Sequence, residues 1–83
     1  MTRYLVSYDL QEPGKEYPKL IAELERLGAK RVLKSQWCLR RNGTAEELRK
    51  HIQKYLDTND RIVVCEIEIN WSAINLIHKI SQI

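Results

Sequence analysis

Asp9 closes an apolar segment, Arg3-Tyr4-Leu5-Val6-Ser7-Tyr8-Asp9, with Ser7 two residues before it. A carboxylate oxygen is a ligand for a hard divalent cation such as Mg²⁺, and an ion held there would polarise a phosphodiester or generate hydroxide from water. The plainer reading of Asp9 is a strand-end aspartate that accepts from the amides of the following loop. Ser7 falls on the same strand face, where it would either assist a metal or phosphate or fill a tight core. Glu66 and Glu68 are the acidic residues that a sheet would have to bring to Asp9 to build a larger ligand set.

The second set of chemically active residues is basic. From Arg26 to Thr44 the chain carries six basic residues (Arg26, Lys30, Arg31, Lys34, Arg40, Arg41) and no acidic one. The formal net charge is +3, so the residues outside this block sum to −3. Lys30, Arg31, Lys34, Arg40 and Arg41 would track phosphates in a sequence-independent, salt-sensitive way. Tyr8 and Trp37 would stack on bases if exposed, and would be core if buried. Against this stands the reading of a solvated edge strand, where Lys and Arg discourage edge-to-edge pairing. No Ser-His-Asp or Cys-His set is visible, and His51 and His78 read as ordinary packed or exposed histidines.

The elements that must position these residues follow from spacing. Arg3 to Asp9 is rich in β-branched and aromatic residues and reads as a central strand. Gln11 to Lys15, with Pro13-Gly14, is a loop. Tyr17, Leu20, Ile21, Leu24 and Leu27 line one face of a helix that starts near Pro18 and stops at Gly28. Ala29–Lys34 and Gln36–Arg41 form two short strands meeting at Ser35-Gln36-Trp37. Thr44-Ala45-Glu46-Glu47 is a capping box. It opens a second helix whose apolar face is Leu48, His51 or Ile52, Tyr55 and Leu56. After a turn at 57–60, Ile62 to Ile69 reads as a strand. Val63, Cys65, Ile67 and Ile69 share one of its faces, and Ile62, Val64, Glu66 and Glu68 the other.

This order, β-α-β-β-α-β, predicts an α+β, ferredoxin-like split βαβ sandwich with helices on one sheet face. The other face needs cover, and Val6 or Leu5 with Ile62 and Val64 would make it aliphatic. A homodimer through that face is the simplest answer. Residues 1–70 form the domain and 71–83 a tail. Ala73, Leu76, Ile77, Ile80 and Ile83 fall within one helical arc, so the tail docks as a helix on its own sheet or the partner, or swaps as a strand. A chain of 83 residues buries only a modest core, which also favours self-association.

No apolar run approaches the ~20 residues of a membrane span, and the opening Thr2-Arg3-Tyr4 reads as strand rather than signal peptide. Cys38 and Cys65 sit in apolar strand patterns. Buried free thiols are the leading reading and a disulfide or metal pair the alternative. A reducing, cytoplasmic setting is the corresponding expectation.

Tyr8-Asp9-Leu10 closing an apolar first strand, Tyr17-Pro18-Lys19-Leu20-Ile21 opening a helix, and Ser35-Gln36-Trp37 starting a strand together resemble a known family. It is the CRISPR-associated Cas2 family and its relatives, including VapD-type toxins and a SinR-like branch. The resemblance covers roughly residues 2–69. It implies a ferredoxin-like homodimer packed sheet to sheet, in which the aspartate at the position of Asp9 faces its twin and holds a divalent metal, here Mg²⁺. It further implies a nucleic-acid-binding protein, either a metal-dependent endonuclease or endoribonuclease with Asp9 catalytic, or a non-catalytic adaptor for duplex nucleic acid. An integrase-type protein or an antitoxin would be its protein partner. The chain departs from the family's pattern in two places: the Pro13-Gly14 loop lacks the arginine-rich run common after that aspartate, and the tail does not match the family's extra strand.

Overall fold

The computed structural model describes residues 1–12 and 17–83, so the expected Pro13-Gly14 loop lies outside the described residues. Its elements run β1 (Thr2–Asp9), α1 (Pro18–Arg26), β2 (Lys30–Leu33), β3 (Gln36–Arg41), α2 (Ala45–Gln53) and β4 (Arg61–Glu66). A tail follows, ending in a 3₁₀ turn at Ile80–Gln82. The sheet order is β2-β3-β1-β4 with every neighbouring pair antiparallel. That is the ferredoxin-like split βαβ arrangement expected from the element order.

Local chemistry sets the boundaries. Pro18 occupies the first turn of α1, where its missing N–H costs nothing. Gly28 ends that helix at φ +82, a conformation that favours glycine. The Thr44 hydroxyl accepts from the Glu47 amide at 3.1 Å while Glu47 accepts from the Thr44 amide at 3.0 Å, completing the capping box of α2. Leu20 and Leu24 of α1, and Leu48 and Ile52 of α2, then pack on Tyr4, Val6, Trp37 and Leu39 of the sheet. Burying each large aliphatic side chain contributes roughly 1.5–3 kcal/mol before entropy is charged against it.

Three strand-level expectations change. Ile62 and Val64 join the helix-covered core rather than the bare face, because the register sets them opposite Tyr8 and Val6, which point to the helices. The outward residues of β4 are Val63 and Cys65. The strand also stops at Glu66 instead of Ile69. Ile67 donates one more bond to the Arg3 carbonyl at 2.9 Å, after which β1 has almost no chain left to pair. Cys38 is buried, but Cys65 is exposed, and both are free. They flank Leu5 on neighbouring strands, about 10 Å apart at two strand spacings, which is beyond disulfide reach.

The tail docks on its own sheet without forming the amphipathic helix. Asn75 takes a left-handed φ of 58, which interrupts helical geometry. Leu76, Ile80 and Ile83 still reach one surface, packing with Val32, Cys38, Leu5 and Ile67 on the face opposite the helices. Ile77 N donates to the Val32 carbonyl at 2.9 Å, which ties the tail to the outer edge of β2.

Candidate nucleic-acid interface

Asp9 ends an interior strand, and its side chain is 65% exposed. Its Oδ2 accepts from Arg61 Nη1 at 2.9 Å, and Gln11 Nε2 lies 3.4 Å from the same oxygen. The register brings the two within reach, since Asp9 and Arg61 are direct cross-strand neighbours. Glu66 stands opposite Tyr4, five residues down the strand from Asp9 or roughly 17 Å, so it does not approach the aspartate. Ser7, Tyr8, Asp9, Arg61, Ile62 and Val63 line a shallow depression of about 260 Å³. Among the described residues no group of three or more His, Cys, Asp or Glu is placed to hold a metal ion.

The basic block does not form one patch. Lys30 is the cross-strand neighbour of Cys38 and Arg31 of Trp37, so the two project to opposite faces of the hairpin. Arg40 and Arg41 likewise alternate, at the end of β3. Lys34 and Ser35 sit exposed in the turn between β2 and β3, at the Asp9 end of the sheet, where the Ser35 carbonyl accepts from the Tyr8 amide. Lys30 and Arg31 do meet along the outer edge of β2, where they line an open groove of about 700 Å³ with Trp37, Ile77 and His78.

The aromatic residues are turned inward. Trp37 is buried, its indole N–H donates to the Tyr8 hydroxyl at 3.0 Å, and the Arg31 guanidinium lies 4.8 Å from its ring centroid. The ring face is thus taken by a cation–π contact instead of being offered to a base.

Two further clusters are structural. Glu23 on α1 is buried, accepts from Arg26 Nε at 2.7 Å and hydrogen-bonds His51 of α2. The bonds from Arg26 and then His51 hold its carboxyl down at about 2. Tyr17 donates to Asp57 and Asp60, anchoring the turn before β4 to the start of α1. Its burial, then those carboxylates, push the phenol pKa well up.

Residues that a linear reading passes over are Arg61, which holds Asp9, and Arg3, which lies directly across from Arg40. Both lie outside the basic run, and pairing register, invisible in the linear sequence, is what brings them in. A strand-start Arg after an Asp-Thr-Asn-Asp turn is a faint signal for the first. For the second there is none.

The split βαβ topology, with helices on one face and a half-bare other face, defines a ferredoxin-like α+β protein whose exposed chemistry lies along the sheet's edges and ends. A family model described as CRISPR associated protein Cas2 matches residues 1–73. The chain belongs to that family. The match ends before Leu76, Ile80 and Ile83, the tail residues that cover the sheet. Among the described residues no helix is long and apolar enough to cross a membrane.

Proposed function

We propose that this Cas2-family chain works as a homodimer that holds nucleic acid by its phosphate backbone. The observation that carries the reading is the accessible half of the sheet: Val63 is 57% exposed, and Cys65 beside it and Asp9 at the strand end are exposed too. A second copy seated there would bury that strip and bring two basic hairpins to a fixed spacing. Lys30 and Lys34, both exposed, supply charge that a duplex would meet without sequence preference. Arg31 reinforces the β2 groove, while Arg41 and Arg40 extend the positive field along the hairpin.

Endonuclease activity is the second reading, favoured by the exposure of Asp9 at this face. Within one protomer the described residues do not fit a resident divalent ion, because the carboxylate is paired with Arg61 and no group of three or more His, Cys, Asp or Glu is placed to hold one. Two Asp9 side chains meeting across a dimer would supply oxygen ligands of the kind Mg²⁺ takes, and the ion would serve as a Lewis acid toward a phosphodiester.

Fluorescence anisotropy with a short labelled duplex DNA and with single-stranded RNA tests the first reading. The K30E/K34E variant should bind about tenfold or more weakly with a shallower salt dependence; unchanged affinity rules out this use of the hairpin. For the second reading, incubation with Mg²⁺ or Mn²⁺ should give cleavage that Asp9→Ala abolishes while binding persists. Wild-type protein that never cleaves leaves the adaptor role.

A further inference from the structure

The groove along the outer edge of β2 has walls of opposite charge. Lys30 and Arg31 line it from the strand, Ile21 and Glu25 from α1, and Ile77 and His78 from the tail. Arg31 is the cross-strand neighbour of Trp37, whose ring belongs to the cluster under the helices. The guanidinium lies against that ring, 4.8 Å from its centroid, a contact that holds the cation without neutralising it. Arg31 Nε is buried with no hydrogen-bond partner. Among the described residues no carboxylate lies within ion-pair distance of Arg31. A cationic fork in that state calls for an acceptor with several oxygens and a negative charge, and a phosphate is one.

Glu25 sets a second condition. It is exposed, and its carboxylate repels a continuous track of phosphates but accepts from N–H groups. A duplex brings phosphates to such an edge and keeps its Watson–Crick N–H groups paired. An unpaired nucleotide carries both halves of the match, a phosphate and a base edge free to donate. Ile21 and Ile77 add aliphatic surface for a base, and a groove of about 700 Å³ has room for one nucleotide. The strip that a second copy would cover lies on β4, at the opposite edge of the sheet. The groove therefore stays open in the dimer proposed above.

We propose that the β2-edge groove is a subsite for one unpaired nucleotide, whose phosphate is taken by Arg31 with Lys30 beside it and whose base N–H groups donate to Glu25. The proposal rests on the nucleic-acid reading above and adds to it a place where a single-stranded segment is preferred to a duplex. Its signature is a loss of single-strand binding when an acidic residue is removed, the reverse of what a plain phosphate track would give.

The test compares wild type, Glu25→Ala and Arg31→Gln by anisotropy of a short labelled oligo(dC) and a short labelled duplex DNA at fixed salt. E25A should bind oligo(dC) about fivefold more weakly, although it loses a negative charge, and bind the duplex no more weakly than wild type. R31Q should weaken oligo(dC) about tenfold and the duplex by clearly less. Oligo(dC) affinity that E25A raises or leaves alone overturns the subsite, and so does an equal loss for both probes in R31Q. If K30E/K34E weakens duplex binding while E25A does not weaken oligo(dC), the hairpin reading stands and the subsite falls. If wild type binds neither probe, both fall. Poly-glutamate that displaces labelled oligo(dC) as well as unlabelled oligo(dC) does would assign the groove to an acidic polypeptide and overturn the proposal. Should R31Q fail to fold, ¹⁵N NMR of the wild type decides. Oligo(dC) should move the Arg31 Nε signal and the Ile77 amide together, and a spectrum in which neither moves overturns the proposal.

Discussion

The two faces of the sheet are built to opposite rules. Under the helices, Tyr4, Val6, Trp37 and Leu39 meet Leu20, Leu24, Leu48 and Ile52 in one continuous cluster, in which the Trp37 indole N–H donates to the Tyr8 hydroxyl. The other face has a small cluster of Val32, Cys38 and Ile80 under the tail, then Val63 and Cys65 in the open. Arginines flank it at both ends, Arg61 on Asp9 and Arg40 on the Ile83 oxygen. One face therefore holds the fold together. The other leaves Val63 and Cys65 exposed.

Substitutions should separate the faces sharply. The largest loss is expected for Leu39→Ala, about 3 kcal/mol by urea unfolding, because the residue is fully buried and its removal leaves a cavity. Val63→Ala should stay within about 0.5 kcal/mol; a cost near that of Leu39→Ala would mean the bare face is core and the contrast is false. Val63→Asp should leave monomer unfolding nearly unchanged yet weaken self-association by about 2 kcal/mol in sedimentation equilibrium, since it would bury a charge between copies. Thr44→Ala should cost about 1 kcal/mol through the lost cap of α2, with no effect on association.

The smallest expected effect is a pH dependence. The Glu23 carboxyl is held at about 2, below the usual 4.5, so its stabilising contribution is complete above about pH 4.5 and is lost as pH falls toward 2. The stability advantage of wild type over Glu23→Gln should shrink across that window in acid denaturation. A constant difference would show that the Arg26 and His51 contacts do not depend on the charge.

Local signals carried much of this fold. Helix starts and stops came from Pro18, Gly28 and the Thr44–Glu47 box, because capping chemistry acts over a few residues. The strand order followed from the element order. What alternation could not decide was which side of β4 faces the helices, since both of its faces are aliphatic until register pairs Val64 with Val6. The candidate site was half legible. Asp9 ends the first strand, as its place after the apolar run predicts, but its partner Arg61 is 52 residues away. The basic run reads as a unit in one dimension and divides in three, because strand alternation sends Lys30 and Arg31 to different faces. Arg3 meets Arg40 only through pairing, so it carried no advance sign.

The most direct test of the central claim is the salt dependence of duplex binding for wild type and K30E/K34E. If the β2–β3 hairpin of this protein holds nucleic acid by its phosphates, wild-type log affinity falls linearly with log salt, and the variant's slope is shallower by about 2 for each protomer. Identical slopes and affinities for the two proteins would contradict it.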